Sequence, residues 1–403
     1  MNFLFLTNKI PYPPKDGGAI GFYNLAISLA NLGHSIDLLT LNTNKHYYPV
    51  EKIPQDLKQK INFHDVYINT DISPIKLLKN LLFSTIPYNA ERFISDDFKA
   101  KLKSLLAEKE FDIVHIEGLY MCPYIEIVRQ NSNAKITLRS HNIEHEIWER
   151  LAYEEANLLK KFYLKKLATR IKNFKLNYIN KYDFLVPVTG RELQTYNSLG
   201  NIKPGFIAPT GITEENNKLF LDNNNSEYPG FFFIGALDWY PNIEGLKWFL
   251  ENIWTDYVKK YPQNTFSIAG RNAEPNFEKY LSQFPNINYF GEVEDADEFI
   301  SRGSVLIAPV LSGSGMRVKI IEGMAAAKTI ITTTIGTEGI DTTNEINIFI
   351  ADNPETFLNI MFKLSDNKQI HDEISKNARI FVAENYNNTV IAKNLADFYK
   401  RYI

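Results

Sequence analysis

A loop of small residues followed by a cationic helix is the segment of this sequence best suited to bind a phosphate. Gly313 and Gly315 lie in a loop after a predicted strand, and a helix is predicted to begin near Met316. Backbone N–H groups at a helix N-terminus attract an anion, and glycines allow it to approach closely. Arg317 and Lys319 fall in the first predicted turn, where cations oppose the helix dipole by roughly a few tenths of a kcal/mol. An anionic ligand would offset that cost, so we predict a phosphate site here.

Glu322 adds a carboxylate to the same predicted helix. It lies too far along the helix to act as an N-terminal cap. Its oxygens could instead accept hydrogen bonds from the hydroxyl groups of a ribose. Glycines also occur in ordinary strand-to-helix turns, but the addition of Arg317, Lys319 and Glu322 favours a nucleotide.

His141 is the candidate with the clearest position in the first half of the chain. It follows the predicted strand Ile136–Leu138 and therefore lies at the C-terminal edge of a parallel sheet, where open α/β sheets bind ligands. Glu117 follows another predicted strand and could contact an acceptor hydroxyl. A lone histidine near a strand end is often structural, so the position alone leaves both interpretations open.

Asp295 and Asp297 have the spacing of a metal-binding Asp-x-Asp pair. They belong to an acidic cluster at the start of a predicted helix, where carboxylates suit the helix dipole. The sequence contains no dense set of His, Asp and Glu ligands elsewhere. We therefore interpret the pair as a helix start and expect no catalytic metal.

Two successive parallel α/β domains would position these residues. The strands predicted in the first half are Asn2–Thr7, Ile36–Leu41, Asp112–Ile116, Ile136–Leu138 and Phe184–Val188. Those predicted in the second half are Phe231–Ile234, Thr265–Ile268, Asn288–Phe290, Val305–Ala308 and Thr329–Thr332. Helical patterns separate the strands, which is typical of Rossmann-like folds. The predicted organisation is a domain at 1–205, a connection at 206–228, a domain at 229–385 and a helix at 386–403 that packs back towards the first domain.

The composition excludes several classes of protein. The chain has 403 residues and a single cysteine, Cys122, which excludes a disulfide framework and any multi-cysteine metal site. The N-terminal apolar run is too short for a signal peptide, and no stretch reaches the ~18 apolar residues that span a bilayer. We therefore expect a cytoplasmic protein, or one peripheral at the inner face of the cell membrane, and disfavour a periplasmic binding protein.

The charge is divided unevenly between the two halves. Residues 1–205 carry 27 basic and 21 acidic side chains, whereas residues 206–403 carry 17 and 26. The stretch Leu158–Lys181, inside a helical pattern from about Ile147 to Tyr182, has eight basic residues and no acid. Its apolar stripe is Leu164, Leu167, Ile171, Phe174 and Tyr178. This pattern fits either a solvated lysine face over a packed core or a basic face against anionic lipid, to which 75–83 could add.

The phosphate loop resembles the donor-nucleotide loop of GT-B glycosyltransferases, in the retaining family-4-type group (glycosyl transferases group 1). Further stretches resemble the same group in matching order along most of the chain. They are Leu4–Gly18, Ser140–Glu144, Gly235–Asn242, Ala269–Arg271 and Gly291–Val293. The resemblance implies two Rossmann-like domains that face each other across a cleft, with the donor on the second domain and the acceptor on the first.

On the donor side, the resemblance implies that Glu322 holds the ribose and that the segment at Val293 meets the nucleobase. Ser314 stands eight positions before Glu322, where the family usually has a second glutamate. The family also tends to place Arg and Lys after the first strand of this domain to bind the diphosphate, and 235–242 contain neither. We infer that Arg317 and Lys319 supply that charge. The predicted donor-binding residues are Gly235, Arg271, Val293, Gly313, Ser314, Gly315 and Glu322.

On the acceptor side, the resemblance places His141 beside the donor sugar. We therefore predict His141, Arg317 and Lys319 as catalytic residues. The other residues expected at the cleft are Gly17, Gly18, Asn142 and Glu117.

The resulting hypothesis is a retaining, metal-independent hexosyltransferase that uses a nucleotide-diphosphate sugar and needs no cofactor. The expected acceptor is a saccharide or lipid-linked saccharide of cell-surface polysaccharide synthesis, with an anionic membrane surface as a further partner and no nucleic acid. A catalytically inactive glycosyltransferase-like binding subunit and a sugar-nucleotide epimerase remain alternatives. A nicotinamide-dependent oxidoreductase is disfavoured because the loop after the first strand lacks G-x-G-x-x-G.

Overall fold

The protein forms two α/β units in a computed structural model that describes residues 1–14, 17–212, 226–313 and 315–403. The first unit is Met1–Thr210 with Asn388–Ile403, and the second is Gly211–Asn387. The connection between the two units was predicted at 206–228, but in the structure the first unit extends to Thr210. Phe206 N donates to Leu185 O and Ala208 N to Pro187 O, so these residues extend the first unit. Most of the remainder of that predicted connection, 213–225, lies outside the described residues.

The first unit contains a six-stranded parallel sheet in the order β3-β2-β1-β4-β5-β6. Its strands are β1 Asn2–Thr7, β2 Ser35–Thr43, β3 Ile61–Ile68, β4 Ile113–Glu117, β5 Lys135–Ser140 and β6 Phe184–Pro187. The apolar side chains of β1, from Phe3 to Leu6, are fully buried. Helices therefore cover both faces of the sheet, which explains why this strand reads as a continuous apolar run.

The helices of the first unit flank that sheet. They are α1 Gly17–Asn31, α2 Gln55–Lys60, α3 Pro74–Phe83, α4 Tyr88–Glu91, α5 Asp96–Glu108, α6 Ile125–Asn131, α7 Glu144–Glu154, α8 Leu158–Tyr178 and α9 Gly190–Ser198. The helical stretch predicted at 147–182 is two helices, because Asn157 caps α8 by accepting from Lys160 N. The C-terminal helix α17, Asn388–Lys400, shares a hydrophobic cluster with α1 through Leu395 and Phe22.

The second unit contains another six-stranded parallel sheet, in the order β12-β11-β10-β7-β8-β9. Its strands are β7 Phe231–Ile234, β8 Phe266–Ala269, β9 Ile287–Gly291, β10 Val305–Ala308, β11 Thr329–Thr332 and β12 Phe349–Ile350. Its helices are α10 Tyr240–Phe249, α11 Thr255–Lys260, α12 Phe277–Leu281, α13 Ala296–Arg302, α14 Val318–Ala325, α15 Pro354–Asp366 and α16 Lys368–Asn385. A π-helical turn at Leu250–Trp254 joins α10 to α11.

Both sheets have the same topology when each is counted from its own first strand. The first and fourth strands of each unit are neighbours, β1 with β4 and β7 with β10. The strand order reverses there, and ligands of open α/β sheets bind outside the carboxyl ends of strands at such a point. In the second unit, the loops that follow β7 and β10 therefore frame the expected binding position. Among the described residues, no helix is both long and apolar enough to cross a bilayer.

Candidate functional site

The predicted phosphate loop connects β10 to α14. The helix begins at Val318, later than predicted, and Arg317 is its N-cap rather than a residue of its first turn. Gly313 and Gly315 have φ of 102° and 84°, a region that favours glycine, which keeps the chain out of the helix until Arg317. Ser314, between the two glycines, lies outside the described residues.

Arg317 folds back over the loop that precedes it. Its Nη1 donates to Gly315 O at 2.5 Å and its Nη2 to Ser312 O at 3.4 Å. A Cβ at Gly313 would lie 3.1 Å from Arg317 Nη2, so the guanidinium packs closely on the glycine backbone. Arg317 therefore orders the loop and places a positive charge at its centre.

Lys319 reaches from α14 to the turn that follows β7. Its Nζ donates to Asn242 Oδ1 at 2.9 Å and lies 4.4 Å from the centre of the Phe233 ring. Burial, together with the nearby charge of Arg317, lowers the pKa of Lys319 to about 7. The amine of Lys319 is thus held beside the turn at 235–242, which contains no Arg or Lys of its own. An anion bound at this turn would favour the charged form of the amine.

The turns after β7, β8 and β9 are joined by backbone hydrogen bonds. Gly235 N donates to Ala269 O, and Leu237 N donates to Arg271 O. The turn after β8 is linked to the end of β9 in the same way, because Gly270 N donates to Gly291 O. Three predicted donor residues thus share one carboxyl edge of the sheet: Gly235, Arg271 and Val293.

The end of β10 is docked tightly onto α10. A Cβ at Gly245 would lie 1.6 Å from Pro309 O, so only glycine allows the helix and the strand end to approach this closely. Ser312 Oγ also donates to Glu244 Oε2 at 2.6 Å. Sequence reasoning missed Glu244 and the role of Asn242, because each meets a partner that is distant in the sequence.

Glu322 lies three residues after Lys319, on the same side of α14 and about 4.5 Å further along its axis. Burial, and then the carboxylate of Asp297, raises the pKa of Glu322 to about 7. Within the part of the chain that the structure describes, no hydrogen bond or ion pair engages the Glu322 carboxyl group. The helix therefore offers a cationic group first and a carboxyl group one turn later, in the order of a diphosphate and a ribose.

Asp295 is the N-cap of α13. Its Oδ1 accepts from Asp297 N at 2.9 Å and from Glu298 N at 3.0 Å, which is the geometry expected of a helix start. Across residues 1–14, 17–212, 226–313 and 315–403, no group of three or more His, Cys, Asp and Glu side chains is arranged to hold a metal ion.

In the first unit, the carboxylate of Glu117 is the centre of a buried polar cluster at the ends of β4 and β5. His141 Nε2 lies 2.6 Å from Glu117 Oε2, and His115 Nδ1 lies 3.0 Å from Glu117 Oε1. Arg139 Nη1 lies 3.7 Å from Glu117 Oε2. Burial opposes ionisation of Glu117, but the charge of Arg139 and the hydrogen bonds from both histidines hold its pKa well below the usual range.

The predicted contact of Glu117 with an acceptor hydroxyl group stays a prediction. The Glu117 carboxylate is buried against Nε2 of His141, whose side chain is 21% exposed, so the histidine is the more accessible of the two. His115 was missed, although it stands two residues before Glu117 and therefore on the same face of β4. Burial lowers the pKa of His115, which favours its neutral form.

The remaining predicted residues lie in loops or at a helix start. Gly17 and Gly18 open α1 and are exposed, and the two residues before them lie outside the described part. Asn142 is partly exposed in the loop after β5, where its carbonyl accepts from Ser140 Oγ at 3.2 Å. Among the described hydrogen bonds, none joins these three residues to the Glu117 cluster.

Comparison with known proteins shows what this part of the chain resembles. Residues 228–367, which include every predicted donor-binding residue, match the family described as Glycosyl transferases group 1. A protein of the cps region of Klebsiella pneumoniae, described as an uncharacterized 44.6 kDa protein, is 24% identical over 97% of this chain and 98% of its own length.

Solved structures resemble the whole chain. HepE of Anabaena, crystallised in complex with UDP and glucose, superposes with a TM-score of 0.66 at 11% identity and covers 99% of both chains. Sucrose-phosphate synthase from Thermosynechococcus elongatus gives a TM-score of 0.69 at 15% identity, over 100% of this chain and 99% of its own. The second unit is thus similar to the glycosyl transferases of group 1, and the two parallel sheets, together with the likeness to these structures, give the chain the GT-B fold.

Proposed function

We propose that this protein transfers a sugar from a nucleoside-diphosphate sugar to an acceptor hydroxyl group. The bond between the anomeric carbon and the phosphate oxygen breaks, a bond to the acceptor oxygen forms, and the nucleoside diphosphate leaves with the proton of the acceptor hydroxyl group. The observation that carries this proposal is the position of Lys319 against Asn242, one helical turn before the carboxyl group of Glu322, which forms no hydrogen bond or ion pair with the described residues.

In this proposal the diphosphate binds at the N-terminus of α14. The N–H groups of the first turn point towards it, and Lys319 and Arg317 meet the negative charge that grows on the departing phosphate. Lys319 is held in place by Asn242 before the donor arrives, so little reorganisation is needed. A bound diphosphate would raise the pKa of Lys319 above its value of about 7 in the free protein.

Glu322 is proposed to hold the ribose. Its pKa of about 7 means that the free protein carries this carboxyl group partly protonated near neutral pH. Ribose hydroxyl groups would donate to the ionised form and favour it. Val293, beyond the end of β9, is proposed to lie near the nucleobase.

The two cationic side chains and the helix N-terminus supply the charge that a metal supplies in other transferases. We therefore propose turnover without a metal or cofactor. Retention of configuration, a hexose as the transferred sugar, and contact of His141 with that sugar are proposed from the family resemblance.

The acceptor is proposed to be a saccharide or a lipid-linked saccharide. The curated relative from a cps region supports a role in polysaccharide synthesis. The complex of HepE with UDP and glucose makes UDP and UDP-glucose the first probes to use.

The test is a thermal-shift screen against nucleoside diphosphates and their sugars, followed by a donor-hydrolysis and transfer assay. A ligand at 100 times its dissociation constant should stabilise the fold by about 2.7 kcal/mol. Stabilisation by one base and release of the nucleoside diphosphate would support the proposal. Failure of every nucleotide to bind would refute it, and binding without any hydrolysis or transfer would favour an inactive binding subunit.

A further inference from the structure

Helix α3 presents its apolar stripe to solvent. Ile75, Leu78 and Leu82 recur at helical spacing and are each more than half exposed, and Phe83 is 84% exposed. Asn80 is the buried residue of this helix. Leu77 and Leu81 of the same helix are half-buried, so α3 has an exposed apolar face in addition to the one that packs, and such a face indicates a surface that binds a partner.

The first turns of α8 also expose large apolar side chains. Leu158 and Leu159 are 80% and 84% exposed, and Phe162 is 71% exposed. The later residues of the predicted stripe, from Leu164 to Phe174, are buried in the core. The apolar residues at the start of α8 therefore have no role in packing the described fold.

Arg170 ties the two helices together. This residue of α8 donates from Nη2 to three carbonyls at the end of α3 and just beyond it: Asn80 O at 3.2 Å, Ser84 O at 2.5 Å and Ile86 O at 2.9 Å. The end of α3 therefore lies beside the middle of α8. We call the exposed apolar residues of the two helices together the α3–α8 patch, defined by Leu78, Leu82, Phe83, Leu158, Leu159 and Phe162.

The charges around this patch are basic. Lys76 and Lys79 alternate with the apolar residues of α3, and 72–83 contain no acid. In α8, residues 158–170 contain four lysines and Arg170 but no acid. Glu155, just before α8, pairs with Lys160 at 2.6 Å. The acids beside α3 are Asp71, which precedes this stretch, and Glu91, whose Oε2 accepts from Asn80 Nδ2 at 2.6 Å. Large apolar side chains interleaved with lysines match the boundary between the acyl chains and anionic head groups of a lipid bilayer.

We propose that the α3–α8 patch docks on an anionic lipid bilayer, with Leu, Ile and Phe side chains inserted among the acyl chains and lysines at the head groups. The interleaved positive charge favours this occupant over a second copy of the chain, whose equivalent patch would carry the same charge. The inference rests on the exposed residues alone and does not depend on glycosyl transfer.

The experiment is flotation of the whole chain with vesicles of phosphatidylcholine or of equimolar phosphatidylcholine and phosphatidylglycerol. The wild type should bind the anionic vesicles, and part of that binding should persist when salt shortens the Debye length from about 10 Å to about 3 Å. The variant L82S/F83S/L159S should lower the partition coefficient at least about tenfold at both salt concentrations. The variant K165Q/K166Q should lose affinity mainly at low salt.

Two matched controls separate the patch from the rest of the surface. Ile202→Ser removes an apolar residue of the same unit that is 82% exposed, and K52Q/K60Q removes two exposed lysines of that unit. Both should bind vesicles as the wild type does. An unchanged thermal midpoint shows that a variant is folded.

Three outcomes would overturn the proposal. The first is that L82S/F83S/L159S binds anionic vesicles as strongly as the wild type does, and the second is that the wild type does not bind them. The third is that the wild type forms a dimer in sedimentation analysis and L82S/F83S/L159S is a monomer. Nucleotide binding and turnover are measured separately without vesicles, so failure here leaves the proposed activity standing.

Discussion

Replacement of Lys319 by methionine should weaken nucleotide binding in a way that depends on pH. Methionine keeps the length of the side chain beside Phe233 and removes its charge. A hydrogen bond that involves a charged group contributes about 1.5–3 kcal/mol, or about 10- to 100-fold in affinity. Because the pKa of Lys319 is about 7, most molecules carry this charge at pH 6, and the full loss should appear there.

At pH 8 the difference between the two proteins should shrink. The wild-type amine is then mostly neutral and must take up a proton before it can pair with a diphosphate. One pH unit above the pKa this requirement costs about 1.4 kcal/mol, so the affinity ratio should fall about tenfold between pH 6 and pH 8. The phosphate of the ligand and Glu322 titrate in the same range, but they do so in both proteins and cancel in the ratio.

Calorimetry with UDP, or with the nucleotide that gives the largest thermal shift, measures both the affinity and the number of protons taken up on binding. Titrations in buffers of different ionisation enthalpy should show that wild-type binding takes up close to one more proton at pH 8 than binding by Lys319→Met. Lys259→Met, which changes an exposed lysine of the same unit, serves as the control. An affinity ratio that stays the same at both pH values would show that Lys319 does not meet the diphosphate with a depressed pKa.

Three further outcomes follow from the same geometry. Glu322→Ala should weaken nucleotide binding by about 1–3 kcal/mol in calorimetry without lowering the thermal midpoint by a comparable amount, and unchanged affinity would refute the ribose assignment. Glu117→Gln should lower kcat more than it raises KM for the donor. The folded-state pKa of Glu117 lies below its ordinary value of 4.5. The stability that Glu117 adds should therefore be complete above pH 4.5 and decline as the pH falls below it. Denaturant titrations of the wild type and of Glu117→Gln at several pH values measure this difference. Turnover should continue in excess EDTA, and activity that vanished there and returned with Mg²⁺ or Mn²⁺ would contradict the proposed chemistry.

The sequence predicted the central strands of both sheets and the edge strands β6 and β9, and it missed the edge strands β3 and β12. The strand β1 was predicted with its observed ends because a continuous apolar run of this length fits a central parallel strand. The strand β3 was not predicted, since Ile61 is its one buried residue and the others are half-buried or exposed without a regular period. The two-residue strand β12, at an edge of the second sheet, is too short to show a period.

The site was predictable in its local parts and not in its contacts. The glycine loop, the cations after it and Glu322 are close in sequence, and a strand-to-helix pattern places them together. The contact between Lys319 and Asn242 joins residues 77 positions apart, and nothing in the local pattern selects that partner. His115 is a different case, since it lay in a predicted strand two residues before Glu117, and the strand as observed, Ile113–Glu117, places both side chains on one face.

The topology explains how the charge for a diphosphate can come from either of two loops. Because β7 and β10 are neighbours, the loops after them reach the same point at the carboxyl edge of the sheet. A cation in the first loop, or one that extends from the helix after the second, can therefore occupy nearly the same place. In this chain the first loop contributes Asn242, an amide whose oxygen holds the amine of Lys319. Replacement of Asn242 removes the hydrogen bond that positions the Lys319 amine. In the chemistry proposed here, the amide and the amine therefore depend on each other to place the positive charge.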